Sequence, residues 1–196
     1  IQSSVALGGV QTGDASTVGG LVATNTVCAN CVNGAALIQT SSASGNVGVG
    51  AASVAGGLVG SGNGTILSSA AEGSVTGGAN SVLGGFIGTL TFENGPAQIA
   101  SSSASGAVTS TGSNSTVGGF AGLTSGAILA SSASGPVTGT GDSYLGGFVG
   151  VNLGSIEQSF TTATASVTGR GPTRWHWVIT IGAPESSTMY PSRSAG

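Results

Sequence analysis

One repeating unit accounts for most of this 196-residue chain. In the copies that begin at Ile38, Ile66, Ile99 and Ile128, Ser, Ala, Gly and Val follow the isoleucine after three, five, seven and nine residues. A fifth copy, at Ile156, keeps its serine but reaches valine two residues late, at Val167. A Gly-Gly pair precedes each of these copies, and successive pairs are 37, 28, 34 and 28 residues apart. The minimal unit is therefore 28 residues, with insertions in two copies.

The repeat predicts an all-β fold, a parallel β-helix (β-solenoid) of about five coils with three short strands each. With 38 glycines, no window can hold a helix well. Alternation places Ser131, Ala133 and Val137 inward, and Ser132 and Thr138 outward. No unit can bury its apolar face alone, so copies must stack.

Two further positions fit stacked coils. An apolar residue after each Gly-Gly pair predicts a continuous apolar column of Leu21, Leu58, Phe86, Phe120 and Phe148. Four residues before a Gly-Gly pair stand Asn80, Asn114 and Asp142, where we expect turns with left-handed or side-chain-capped backbone.

The repeat domain is expected to span residues 1–169 and to start in mid-repeat, because Ile1 already has Ser4, Ala6, Gly8 and Val10 at the same spacing. The chain is interpreted as a piece of a longer array whose N-terminal cap lies outside it. Residues 170–196 form a non-repeat tail. There Trp175, Trp177, Ile179 and Ile181 alternate and could form a capping strand over residues 175–181, followed by disorder; a non-native extension is the alternative.

Both insertions follow a Gly-Gly strand, over residues 26–33 and 91–96, so both loops are expected at the same edge of the rod. Loops that break a repeat are where specific binding is favoured. The candidate binding residues in these two loops are Thr26, Asn30, Asn33, Thr91, Phe92, Glu93 and Asn94.

Charge excludes several function classes. The net charge is −3, there is no lysine, and the three arginines all follow residue 169, so nucleic-acid binding by the repeat is not expected. No apolar run is long enough to cross a membrane as a helix, so no membrane insertion is expected. The carboxylates are scattered along the repeat, which predicts no catalytic pair, no metal and no cofactor.

Two short motifs invite sharper interpretations. Cys28 and Cys31 form a Cys-x-x-Cys pair inside the first insertion; a redox or metal site is one interpretation, and a small disulfide that closes the loop is the favoured one. The segment from Gly141 to Tyr144 resembles an esterase nucleophile motif, but the Asp-x-x-His partner is missing, because Thr173 stands three residues before His176. We interpret that segment as a turn.

The repeat resembles the GLUG motif of large bacterial surface and secreted proteins, including adhesins of the filamentous-haemagglutinin kind. The last copy carries it best, through Gly146, Gly147, Phe148, Val149, Gly150, Asn152, Gly154, Ile156 and Ser159. The resemblance implies an extracellular or cell-surface location, and no catalytic residue carries over from it.

The leading functional prediction is a non-enzymatic scaffold or stalk in an adhesin or exoprotein, presenting loops to a glycan or host surface protein. The first alternative is a filament or biofilm-matrix subunit formed by head-to-tail self-association. Ice binding is the second alternative, though the outward positions lack a strict threonine ladder; thermal hysteresis is its test.

Overall fold

A computed structural model describes residues 1–27, 36–93 and 96–168, and it contains strands and no helix in these ranges. The first part of the chain contributes β1 (Val5–Ala6), β2 (Val10–Gln11), β3 (Thr17–Gly19) and β4 (Val22–Asn25). The next coil contains β5 (Leu37–Gln39), β6 (Ser42–Ala43), β7 (Val47–Gly48), β8 (Val54–Gly56) and β9 (Val59–Gly62). It is followed by β10 (Thr65–Leu67), β11 (Ala70–Ala71), β12 (Val75–Gly77), β13 (Val82–Gly84) and β14 (Ile87–Leu90).

The remaining coils repeat this order. One contains β15 (Gln98–Ala100), β16 (Ser103–Ala104), β17 (Val108–Ser110), β18 (Thr116–Gly118) and β19 (Ala121–Thr124). Another contains β20 (Ala127–Leu129), β21 (Ser132–Ala133), β22 (Val137–Thr140), β23 (Tyr144–Gly146) and β24 (Val149–Asn152). The last described strands are β25 (Ser155–Glu157), β26 (Phe160–Thr161) and β27 (Ala165–Thr168).

Each strand pairs in parallel with the strand five positions later in chain order, which occupies the same place in the next coil. These pairings form five stacks of five or six strands. We number the stacks in chain order, so β1, β2, β3, β4 and β5 open the first to the fifth stack. Val54 lies opposite Val82, and Ile128 opposite Ile156, at the 28-residue spacing of the sequence. The predicted parallel β-helix of about five coils is confirmed. Bends within the three predicted segments of each coil divide them into five short strands.

The core consists of columns of equivalent residues. One buried cluster holds the isoleucine, alanine and Leu/Phe columns, and a second holds the valine column and the inward residues of the third stack. The rings of Phe86 and Phe120 stack with centroids 4.7 Å apart, and those of Phe120 and Phe148 with centroids 5.0 Å apart. The predicted column is confirmed, with Leu21 at its partly buried end.

The predicted inward and outward faces are also confirmed. Ser131, Ala133 and Val137 are buried, whereas Ser132 and Thr138 are partly exposed. The Gly-Gly pair makes the sharp bend between the third and fourth stacks. A Cβ on Gly84 would lie 1.9 Å from the carbonyl oxygen of Ile87, so that bend excludes any larger residue.

Turn positions follow the prediction in two of three cases. Asn80 and Asn114 have φ of 57° and 59°, in the left-handed region. Asp142 was expected there, but Gly141 takes that conformation instead, with φ of 57°. The prediction for Asp142 is wrong because a glycine is available one residue earlier and adopts this backbone without a Cβ clash.

The last copy is less degenerate than its sequence predicts. Ala165, and not Val167, lies opposite Val137, so the 28-residue register is kept and the valine position is occupied by alanine. Val167 lies two residues further along β27 and is exposed. The interpretation of Val167 as a late valine is therefore wrong.

Buried serines join one coil to the next. The backbone N–H of Ser69 donates to Ser102 Oγ at 3.3 Å, and that of Ser102 donates to Ser131 Oγ at 3.2 Å. Each hydroxyl also donates to the carbonyl two residues earlier, as Ser102 Oγ does to Ala100 O at 2.9 Å. The intervening residue, Ser101 in this copy, has positive φ. This serine column provides the acceptor for a backbone amide that the bend would otherwise leave unpaired inside the coil, whereas the carbonyl also accepts a backbone N–H, as Ala100 O does from Ser68.

The serine column gives a stability prediction. Ser102→Ala removes the acceptor of the Ser69 amide and the donor to Ala100, so it should lower the free energy of unfolding by roughly 1–3 kcal/mol. The adjacent Ser103→Ala, at an exposed position, should change it by less than about 0.5 kcal/mol. Denaturant titrations of the two variants provide the measurement, and equal losses would show that the buried hydroxyl is not the cause.

Candidate functional site

The two insertions lie at one corner of the β-helix, between the fourth and fifth stacks, which we call the insertion corner. Residues 26–36 connect β4 to β5, and residues 91–97 connect β14 to β15. The equivalent connections in the other coils, 63–64, 125–126 and 153–154, have only two residues. The prediction that both loops leave the rod at the same edge is confirmed.

The side chain of Asn63 bridges the two insertions. It lies in the coil between them, where its Oδ1 accepts a hydrogen bond from the Val27 backbone N–H at 2.7 Å. Its Nδ2 donates to the backbone carbonyl of Glu93. Asn63 is only 9% exposed, so both polar atoms of the amide are used inside the corner. The two loops therefore rest on one buried side chain.

Backbone hydrogen bonds fix the bases of both loops to the same coil. The Thr91 N–H donates to Gly62 O at 2.9 Å, and the Ala97 N–H donates to Asn63 O at 3.0 Å. On the other side, the Asn63 N–H donates to Asn25 O at 3.1 Å. The ends of the second insertion are thus positioned by the middle coil, which is a rigid part of the rod.

An open cleft of about 240 Å³ lies beside the second insertion. Phe92 stands at its edge with 66% of its surface exposed. The Phe92 N–H donates to Ser125 Oγ at 2.8 Å, which ties the loop to the next coil. The residues that line the cleft are Phe92, Pro96, Ser125, Gly126, Ala127 and Ser155.

The six residues that line the cleft are uncharged. Residues 1–169 contain no lysine, arginine or histidine, and Glu93 follows Phe92 directly along the chain. An anionic ligand would find no counter-charge in this part of the molecule. The cleft combines one exposed aromatic ring, an apolar rim and two hydroxyl-bearing side chains, Ser125 and Ser155.

The structure brings some predicted binding residues together at the insertion corner. Thr26, Phe92 and Glu93 are exposed there, and Thr91 is partly buried. The other candidates lie outside the described residues: Cys28, Asn30, Cys31, Asn33 and Asn94, as well as Trp175, Trp177, Ile179 and Ile181 of the tail.

Sequence reasoning missed the residues that neighbouring coils contribute. Asn63, Ser125 and Ser155 stand at the insertion corner in coils without an insertion, so no break in the repeat marks them. The repeat spacing could have identified them, because each falls at the same corner of the repeat as the two loops.

The turn from Gly141 to Tyr144 has no free nucleophile. Ser143 is buried, and its Oγ donates to Thr140 O at 2.7 Å and accepts the Ser115 N–H at 3.2 Å. The interpretation of this segment as a turn is confirmed. Among residues 1–27, 36–93 and 96–168, no three His, Cys, Asp or Glu side chains form a group that could hold a metal ion.

Outward hydroxyls form one regular file on the second stack. Thr76, Thr109 and Thr138 lie opposite one another in successive coils, and Ser166 continues the file. Two residues before each of these, the chain carries Ser74, Ala107, Pro136 and Thr164. Two residues after them, the chain carries Gly78, Thr111, Thr140 and Thr168, and Thr140 lies opposite Thr168. A shorter second rank of threonines therefore lies beside the hydroxyl file.

Comparison with known proteins identifies no relative. No family model, no curated protein and no solved structure matches the chain. The resemblance to GLUG repeats stays a prediction from the sequence. In the part of the chain that the structure describes, no helix has the length and apolarity needed to span a membrane.

The Asn63 bridge gives a prediction about the first insertion. Asn63→Ala removes the acceptor of the Val27 N–H, so hydrogen exchange at that amide should accelerate roughly threefold to tenfold, the effect of one net hydrogen bond.

Asn46→Ala is the matched control, because Asn46 Oδ1 accepts the Ser74 N–H at 3.0 Å at another corner. That variant should accelerate exchange at Ser74 and leave Val27 unchanged. Exchange at Val27 that is equal in the Asn63 variant and the parent would show that the amide is protected by something other than the bridge.

Proposed function

We propose that this chain is a non-enzymatic scaffold segment of an extracellular bacterial adhesin or exoprotein, and that the insertion corner is its binding surface. The observation that carries the proposal is the position of the two insertions at one corner, joined through Asn63. Elsewhere each coil keeps nearly the same length and short side chains, as expected of a spacer. The extracellular setting rests on the resemblance of the repeat to GLUG-motif proteins.

The scaffold role follows from how coils tolerate change. Residues inside a coil pack on their copies above and below, so they have little freedom to vary. Loops at a corner are free of that constraint and can acquire a binding surface while the rod holds them in place. The expected partners are a glycan or a surface protein of a host.

Shortening the loops tests the proposal. Replacing residues 91–97 by a two-residue Ser-Gly turn, as at residues 125–126, should abolish binding to cells, matrix proteins or glycans that the parent chain binds, while the circular dichroism spectrum stays that of the β-helix. Ser105→Ala with Ser134→Ala, at exposed positions on another side of the rod, is the control and should bind as the parent does.

Two outcomes contradict the proposal. Unchanged binding after loop shortening would place the binding surface elsewhere. A parent chain that binds nothing in all three screens would make the rod a spacer without a binding role.

Self-association is a second candidate that one observation favours. Val5 in the first coil and Phe160 in the last described coil occupy the same outward position of the first stack and are 65% and 52% exposed. A second copy added at the same strand spacing would bring these apolar side chains together and pair β26 of one copy with β1 of the next.

This candidate predicts concentration-dependent fibres in electron micrographs of the full chain. Phe160→Glu should suppress them, because it places a charge in the joint, and Phe92→Glu at the insertion corner should not. Fibres that form equally in both variants would exclude this mode of joining.

A further inference from the structure

The cleft beside the second insertion has a composition that selects one ligand class. The inference from this composition rests on the proposed binding role of the insertion corner, and it concerns the ligand that the corner binds. The lining combines an exposed aromatic ring, an apolar proline and alanine, and serine hydroxyls, with no charged side chain. Ligand sites combine concave apolar surface with a few placed polar groups. In this open cleft, polar and apolar atoms line the surface in about equal measure.

Phe92 presents its ring to solvent at a fixed place. The side chain is 66% exposed although the flanking backbone is anchored, by the Phe92 N–H to Ser125 Oγ at 2.8 Å and by the Thr91 N–H to Gly62 O at 2.9 Å. An exposed phenyl group contributes nothing to the core that the rest of the repeat builds. Because its backbone is anchored, the Phe92 ring can serve as a surface on which a flat apolar face of a ligand packs.

The polar groups of the cleft are hydroxyls and backbone groups. Ser125 uses its oxygen to accept the Phe92 amide and keeps a hydroxyl hydrogen that can be donated. Ser155, in the next coil, is exposed on the other side of the cleft lining. Such groups pair with ligand hydroxyls without requiring a charge on the ligand.

Charge decides between kinds of ligand. A sulfated, phosphorylated or sialylated ligand would find no cationic side chain among residues 1–169, and Glu93 beside Phe92 would repel it. A purely apolar ligand would leave the serine hydroxyls unpaired. A neutral saccharide satisfies both conditions, since one face of a pyranose ring exposes C–H groups and its rim exposes hydroxyls.

We propose that the cleft formed by Phe92, Pro96, Ser125, Gly126, Ala127 and Ser155 binds a neutral sugar residue. The C–H face of the sugar packs on the Phe92 ring, and the sugar hydroxyls exchange hydrogen bonds with Ser125 and Ser155. The volume of about 240 Å³ suits one ring of an oligosaccharide, with the neighbouring rings lying along the corner.

The test is binding of the full chain to a panel of neutral oligosaccharides of glucose, galactose and mannose, beside sulfated and sialylated glycans of the same length. At least one neutral glycan should bind, and its affinity should change little between about 0.05 and about 0.5 M salt, because no ion pair is involved. Binding confined to charged glycans, or no glycan binding, would overturn the proposal.

Substitutions locate the site. Phe92→Leu should weaken neutral-glycan binding roughly threefold to tenfold by removing the ring face, and Phe92→Tyr should restore affinity to within about twofold. Ser155→Ala should also weaken it. Tyr144→Leu removes an exposed aromatic ring from the third stack, outside the cleft lining, and is the control.

These experiments distinguish a failure of the saccharide proposal from a failure of the proposed function. Equal affinity of the Phe92→Leu and Tyr144→Leu variants would show that the sugar does not bind in this cleft. If loop shortening abolishes binding to a protein partner and no glycan binds, the insertion corner remains the proposed binding surface and the saccharide proposal fails. If glycans bind equally well after loop shortening, both fail.

Discussion

The structure depends on one constraint: each strand residue of an inner coil lies against its own equivalents in the coils above and below. Parallel pairing in register places Ile66 between Ile38 and Ile99, and Phe120 between Phe86 and Phe148. A side chain of different size or shape would leave a gap or a clash in its column, so the same side chain is favoured in each coil. Low sequence complexity is the result of this geometry, and it is compatible with an ordered core.

The same constraint explains why hydroxyls lie inside the rod. At the bend after the isoleucine, the chain contains a residue with positive φ, and the amide that follows it has no strand partner. A serine of the neighbouring coil accepts that amide, and its hydroxyl hydrogen goes to the carbonyl two residues before it, which also accepts a backbone N–H, as Ala100 O does from Ser68. These buried serines, such as Ser69 and Ser102, are fully engaged in the backbone, so the serine-rich sequence does not provide a corresponding number of reactive hydroxyls.

Features that depend on the repeat period could be predicted from the sequence. Features that depend on how a neighbouring residue adjusts the local backbone could not. Spacing alone predicted the inward face, the phenylalanine column and the common corner of both insertions, since equivalent residues must stack. It did not predict the left-handed turn at Gly141 or the use of Ala165 in the valine column, because each depends on a neighbour that repairs the local geometry. Asn63 was missed for a related reason: its partners, Val27 and Glu93, come from loops in other coils.

Changes in length show where this architecture can acquire function. Of the six residues that the 34-residue copy has beyond the minimal unit, five lie at the insertion corner, since 91–97 replaces a two-residue turn, and one lies in the connection from Val108 to Thr116. In this connection Ser110 Oγ lies 2.9 Å from Gly112 O and 2.8 Å from Ser115 Oγ, and its one hydrogen can be donated to either. An extra residue inside a strand would turn the following side chains from the core to the surface. Growth is therefore confined to corners, and the insertion corner is the one that has grown twice.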